Sequence, residues 1–257
     1  MQGSVVFTTE LVIAFLLVLA RVAGVVTFLP LPGTSLFPAT SKVVVSLLLA
    51  ALLLPLAAVR APHPAGLWTL GVWMLREAGF GVAVGVALQF LTEMLGLAAQ
   101  MLGFQAGYSY INAIDPATQV DATILNILLT LVGGLLLFAF DLHLHVIRAL
   151  AVSLETIPLG EAALPPQAAL RLARLGAAVF ETAMRLAIPV IALLLLLDLA
   201  LALLSYVNGR MQLLTLSFPI KMLVTMVSLY AILPMVPRLF HQLARQSLEL
   251  VYQLVRR

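Results

Sequence analysis

Asp198 stands where chemistry is possible and charge is least welcome, inside the run Pro189 to Leu204, PVIALLLLLDLALALL. An ionised carboxylate among such residues costs several kcal/mol unless a cation or a water-filled cavity compensates it. Lys221 is the first candidate partner by sequence, and Arg185 the second. Such a carboxylate can relay protons or ions, or it can lock helices through an ion pair. A relay needs several acidic groups in series, so the single Asp198 favours the lock. Glu77 and Glu93 are the other carboxylates of an apolar stretch. On a continuous helix sixteen residues separate them by about 24 Å, too far for acid–base chemistry on one bond. His143 and His145, beside Asp141, lie two positions apart and point about 200° away from each other on a helix. Extended, they share a face with Asp141, but no third strong ligand is near, and no metal site is expected. The sequence contains no nucleophile elbow, phosphate loop or zinc motif. It has no cysteine, which removes disulfides and thiolate chemistry. No catalytic residue, metal or cofactor is assigned, and the chain is read as a non-enzyme.

The elements that position these groups are set by an extreme composition. Of 257 residues 63% are hydrophobic and 10% charged, against about 25% charged in soluble domains. The net charge of +3 is spread thinly, which leaves no footprint for nucleic acid. Uncharged runs long enough for a hydrocarbon layer of about 30 Å recur along the chain. The fold class is therefore all-α: a polytopic membrane protein of kinked hydrophobic helices and helical hairpins, in one domain over residues 1–257. The first run, Leu11 to Leu29, lacks an N-terminal basic region and an Ala-x-Ala site, and is read as a retained helix that carries Arg21.

Prolines and glycines divide the rest. Pro30, Pro32 and Gly33 end the first helix, and Val43 to Leu54 forms a second, short unless it continues past Pro55 to Val59. From Leu67 to about Phe104 there is no proline, which predicts one long tilted helix or a hairpin. Within it Gly81, Gly85, Gln89, Glu93, Gly96, Gln100, Gly103 and Gly107 recur at steps of three or four, with Glu77 at the edge. This is a packing stripe that faces protein, and the Gly81/Gly85 and Gly103/Gly107 pairs let a second helix approach. Gly107 to Asp121, GYSYINAIDPATQVD, is polar and interrupted by Pro116, hence a loop. Helices follow over Ile124 to Phe140 and on to about Leu154. A more polar helix opens after Pro165-Pro166, a kink is expected at Pro189, and apolar helices run from Val190 to Val207 and from Ile220 to Met235. Pro234 and Pro237 end the last of these. The tail, 238–257, alternates leucines with charged residues as an amphipathic helix, and Arg238, Arg245, Arg256 and Arg257 favour a cytoplasmic location for it.

This pattern resembles the FliR proteins of the flagellar type III export gate and their injectisome counterparts. The resemblance is carried by Arg21-Val22-Ala23-Gly24 with Pro30 and Gly33, by Pro38, Lys42 and Pro55, and by Glu77, Gly81, Gly85 and Phe90. Gly96, Gln100, Gly103, Gly107 and Asp115-Pro116 continue it, as do DLHLHVIRALAVSLETIPLG (Asp141 to Gly160) and SFPIKM (Ser217 to Met222) with Phe218, Pro219 and Lys221. Just before SFPIKM the family's usual Pro-Gln-Met-Asn is replaced by Gly209-Arg210-Met211-Gln212.

The resemblance implies a non-enzymatic subunit in the bacterial inner membrane, within the flagellar basal body. It implies assembly with FliP-like and FliQ-like subunits, and with an FlhB-like switch protein, into a channel for unfolded substrates. It also implies that the loop holding Gly107, Tyr108, Tyr110, Ile111, Asp115 and Pro116 is part of a pore plug. An injectisome subunit, or an ion-coupled transporter centred on Asp198, are the alternatives. The transporter would show an internal repeat, which this sequence lacks.

Overall fold

Runs of Leu, Ala, Val and Ile leave the backbone no polar side chain to bond with, so each segment satisfies its own N–H and C=O groups as a helix. The computed structural model describes residues 9–29, 39–57, 66–108, 124–207 and 213–255, and no β-strand occurs among them. The elements are α1 (Thr9–Phe28), α2 (Ala39–Ala57), α3 (Leu67–Ala106), α4 (Ile124–Ala139), α5 (Leu142–Thr156), α6 (Ala168–Val207), α7 (Leu213–Ile232), a 3₁₀ turn (Leu233–Met235) and α8 (Val236–Val255). Five stretches are long and apolar enough to cross a membrane: Thr9–Phe28, Thr40–Ala57, Leu67–Ala106, Ala168–Val207 and Ser217–Val255. The bent pair α4 and α5 makes a sixth if it counts as one span. The chain is a polytopic, all-α membrane protein.

Packing divides it into two compact units. One comprises Met1–Phe90, Leu137–Gly176 and Ala244–Arg257, the other Leu91–Leu136 and Ala177–Leu243. In the first, α2 packs on α1 and α5. The apolar face of α8, including Leu250, Val251 and Leu254, is buried, while Arg245 and Glu249 on the opposite face are exposed.

Some boundaries match those the prolines suggested and others differ. The segment from Leu67 takes the first of its two expected forms, one helix of 40 residues, and at 1.5 Å per residue it is about 60 Å long, twice the hydrocarbon thickness. α6 also runs for 40 residues, with Pro189 inside it. That proline removes only the amide that would bond the Arg185 carbonyl, a loss one helix survives when its flanking turns are strongly apolar. α7 begins before Ile220 and holds Pro219 inside it. Pro234 and Pro237 do mark the end of α7, which stops at Ile232, before the separate helix α8. They tighten the chain into the 3₁₀ turn and then occupy the first turn of α8, where a proline's missing amide costs nothing.

The glycine stripe of α3 does not stay on one face. Steps of four residues overshoot the helical repeat by about 40° each, so Glu77 and Glu93 end up about 160° apart. Glu77, Gly81 and Gly85 are buried, Gln89 is half-buried, Glu93 and Gln100 are exposed, and Gly96 and Gly103 are buried again. The first stretch of the stripe meets α1. A Cβ on Gly81 would overlap the Arg21 carbonyl oxygen, one on Gly85 would lie 2.8 Å from the Val25 carbonyl oxygen, and one on Gly24 would lie 2.7 Å from that of Ala78. Both backbones need hydrogen atoms where they cross, which is the small-residue packing of membrane helices.

Gly79 sits two residues away with nothing within 4 Å of the same added atom. Gly81→Ala is therefore expected to lower stability in detergent by about 3 kcal/mol through overpacking. Gly79→Ala is expected to be neutral or to gain up to about 1 kcal/mol from helix propensity. Thermal unfolding of the two variants in the same micelles checks the contrast.

Candidate functional site

Arg21 of α1 is fully buried, and each of its polar groups is engaged within the first unit. Its Nε donates to Glu77 Oε2 of α3 at 2.5 Å. One terminal nitrogen donates to the Ser153 carbonyl at 2.8 Å and to Ser153 Oγ at 3.2 Å, and the other reaches the Ile157 carbonyl at 3.5 Å. Ser153 lies in the last turn of α5 and Ile157 is its C-cap. The guanidinium thus sits at the negative, C-terminal end of α5, where the Ser153 carbonyl also accepts the Ile157 amide at 3.0 Å. The Phe80 ring closes the site 5.4 Å from the guanidinium carbon.

Glu77 is fully buried as well, and its second oxygen accepts the Gly160 amide at 2.8 Å. That amide is presented by the turn Pro158-Leu159-Gly160-Glu161, closed by Glu161 N–H to the Pro158 carbonyl at 3.2 Å. Gly160 has φ +86°, as the third residue of a type II turn requires. Trp73 covers it so closely that a Cβ there would lie 2.8 Å from the indole. Sequence reasoning noted Arg21, Glu77 and the Pro-x-Gly separately and did not join them. The available signal was that Arg21 and Glu77 are both charges in apolar helices, and each must find compensation. With every polar atom occupied, the cluster binds helices together and leaves no atom for chemistry on a substrate.

In the second unit three distant stretches meet. Asp198 Oδ1 of α6 is paired with Lys221 Nζ of α7. Its Oδ2 accepts Gln105 Nε2, from the last turn of α3, at 3.4 Å. Arg185, the other candidate, pairs instead with Glu181 one turn away on the exposed face of α6. α3 ends at Gly107, whose φ is +84°. There the Gly107 amide bonds the Phe104 carbonyl and the Tyr108 amide bonds that of Gly103, the two hydrogen bonds of a Schellman motif. Gly107 rests on the Phe218 ring: a Cβ there would lie 2.6 Å from Phe218 Cδ1. The Tyr108 hydroxyl donates to the Met222 carbonyl at 3.4 Å, and burial raises that phenol above its ordinary range. A cavity of about 420 Å³ adjoins the pair, lined by Asp198, Leu201, Ala202, Ser205, Ser217, Phe218 and Lys221.

Of the residues assigned to a plug, Gly107 and Tyr108 are therefore seated on α7, while Tyr110, Ile111, Asp115 and Pro116 lie outside the described residues. The histidines are on α5, where His143 packs its ring on Phe138 at 4.8 Å and His145 Nδ1 lies 3.4 Å from the Tyr252 hydroxyl. No group of three metal-binding side chains occurs among the described residues.

Residues 12–247 match the protein family described as bacterial export proteins, family 1. The flagellar biosynthetic protein FliR of Pectobacterium carotovorum subsp. carotovorum is 33% identical over 186 residues, 70% of each chain. The chain belongs to the FliR family of bacterial export proteins. The FliR of Escherichia coli strain K12 is 30% identical over 64% of each chain, and that of Caulobacter vibrioides 28% identical over 80% of this chain and 83% of its own. The match contains both clusters of this FliR-family chain, from Arg21 and Glu77 to Asp198 and Lys221.

Removing one member of a buried ion pair leaves the other charge uncompensated, at a cost of about 3–5 kcal/mol. Arg21→Met and Glu77→Met are each expected to lose that much stability, and the double variant less than their sum. A double-mutant cycle on detergent-solubilised protein measures the coupling.

Proposed function

We propose that this chain is a non-enzymatic subunit of the flagellar type III export gate in the bacterial inner membrane. In this reading it assembles with FliP-like and FliQ-like subunits and meets an FlhB-like switch protein, and unfolded substrates pass through the assembly. Family membership supports the export role. The flagellar names of the relatives favour the flagellum over the injectisome. Exposed leucines and valines on α2, α6 and α7, among them Leu48, Leu52, Leu196, Leu203, Leu223 and Val227, suit burial against lipid and partner helices.

The observation that carries the gating part is the seat of Gly107 and Tyr108 on Phe218 and Met222. A segment as polar as Gly107 to Asp121, broken by Pro116, is excluded from lipid and must lie in water, in protein or in a pore. A plug needs a fixed base and bulky groups beyond it. The Schellman end of α3 with Tyr108, wedged on Phe218 and Met222, supplies the base, and Tyr110 and Ile111 supply the bulk. The ion pair of Asp198 has one acid and one base, each the other's partner, which suits a lock and not a relay.

Deletion within Tyr108 to Gln119 is expected to leave co-purification with the FliP-like and FliQ-like partners intact and to open a leak for ions or small solutes in cells. An assembled, export-competent gate as tight as wild type after that deletion excludes the plug. Co-expression with those partners is also expected to raise the yield and monodispersity of the chain. A monodisperse monomer indifferent to them argues against the gate.

A further inference from the structure

We propose that the cleft between the start of α6 and the C-terminal half of α8 is a docking site for an acidic peptide segment of another protein. It lies wholly within the first unit. Two adjoining hollows of about 600 and 350 Å³ meet there and share Arg171, Glu249 and Gln253. Both volumes fall in the range of ligand sites, about 300–1,000 Å³. The larger hollow reaches Tyr252, and the smaller reaches Arg174 and Gln246, backed by the buried Leu175 and Leu250.

The cations of this cleft are oriented and left uncompensated. Arg171 donates from one terminal nitrogen to Gln253 Oε1 at 2.6 Å and from the other to Gln167 Oε1 at 3.4 Å. Both acceptors are neutral amides, which hold the guanidinium in place and leave its charge unpaired. Arg174 stands three residues further on the same helical face, and it makes no hydrogen bond or ion pair among the described residues. Glu249 lines both hollows, yet among the described residues it is ion-paired with neither arginine. Two guanidinium forks on one face match carboxylate oxygens. Glu249 asks for N–H groups instead, and the amide nitrogens of Gln246 and Gln253 ask for acceptors. An extended acidic peptide answers both demands, with side-chain carboxylates for the arginines and backbone N–H and C=O groups for the glutamate and glutamines. A lipid phosphodiester or a free phosphate serves the arginines alone and is repelled by Glu249. Arg174, Gln246, Glu249 and Gln253 are exposed, which keeps the cleft wet and open to a soluble strand.

The test uses the full chain in a neutral detergent and follows the fluorescence anisotropy of a short labelled peptide of alternating Glu and Ser. This peptide is expected to bind at low ionic strength and to weaken as salt is added, while its Gln–Ser counterpart stays free. Arg174→Gln, which breaks no bond within the chain, should weaken binding roughly tenfold, and Arg171→Gln at least as much. Thermal unfolding of both variants is expected to stay near wild type. No binding, or equal binding of the uncharged peptide, overturns the proposal. So does an effect of Arg171→Gln alone, because that change also frees Gln253 of α8 and then reports a loosened helix. Displacement of the peptide by an equal concentration of inorganic phosphate reassigns the cleft to small anions. Retention of phosphatidylglycerol that both variants abolish, without peptide binding, reassigns it to a lipid headgroup. Either result overturns the peptide as occupant.

Discussion

A guanidinium and a carboxylate enclosed by apolar helices have no water to share their charge, so their geometry must be satisfied by the protein or the fold fails. Arg21 and Glu77 meet that demand with contacts that span three helices and a turn. The pair by itself is no gain over well-packed leucines, since desolvation offsets most of the attraction. Its consequence is specificity. Only one register of α1 on α3 brings Nε to Oε2, and only one placement of the Pro158–Glu161 turn delivers the Gly160 amide to the remaining oxygen.

The glycines follow from the same constraint. Arg21 reaches Glu77 only if the two backbones cross closely, and Gly24, Gly81 and Gly85 remove the Cβ atoms that stand in the way. In lipid, where burying a leucine gains little over leaving it exposed, such close contact and buried polar bonds are the main sources of helix adhesion. Among the described residues, Leu-rich faces of α6 and α7 remain exposed, which suits the lipid and partner contacts of the proposed gate.

A second carboxylate organises the other unit by different means. Asp198 is only partly buried, its partners come from α3 and α7, and a void lies beside it. One charged cluster is fully buried, and the other is partly exposed. The exposed polar pair Arg185–Glu181 contributes little by comparison, because solvent screens it.

The all-α membrane class was legible from composition and run length alone, because hydrocarbon forbids unpaired backbone and leaves helices as the economical answer. The cost of an isolated charge in PVIALLLLLDLALALL also made a partner for Asp198 obligatory, and Lys221, the first candidate, is the residue it pairs with. Helix ends were less legible: Pro189, Pro219 and Pro55 all sit inside helices, since neighbouring turns outvote one missing amide. Tertiary structure alone decided that Arg21, Glu77, Ser153 and Gly160, up to 139 residues apart, form one cluster. Sequence spacing carries no information about contacts between helices. It likewise decided that Phe218 lies under Gly107, because that meeting depends on how α3 and α7 pack, and no local pattern encodes it.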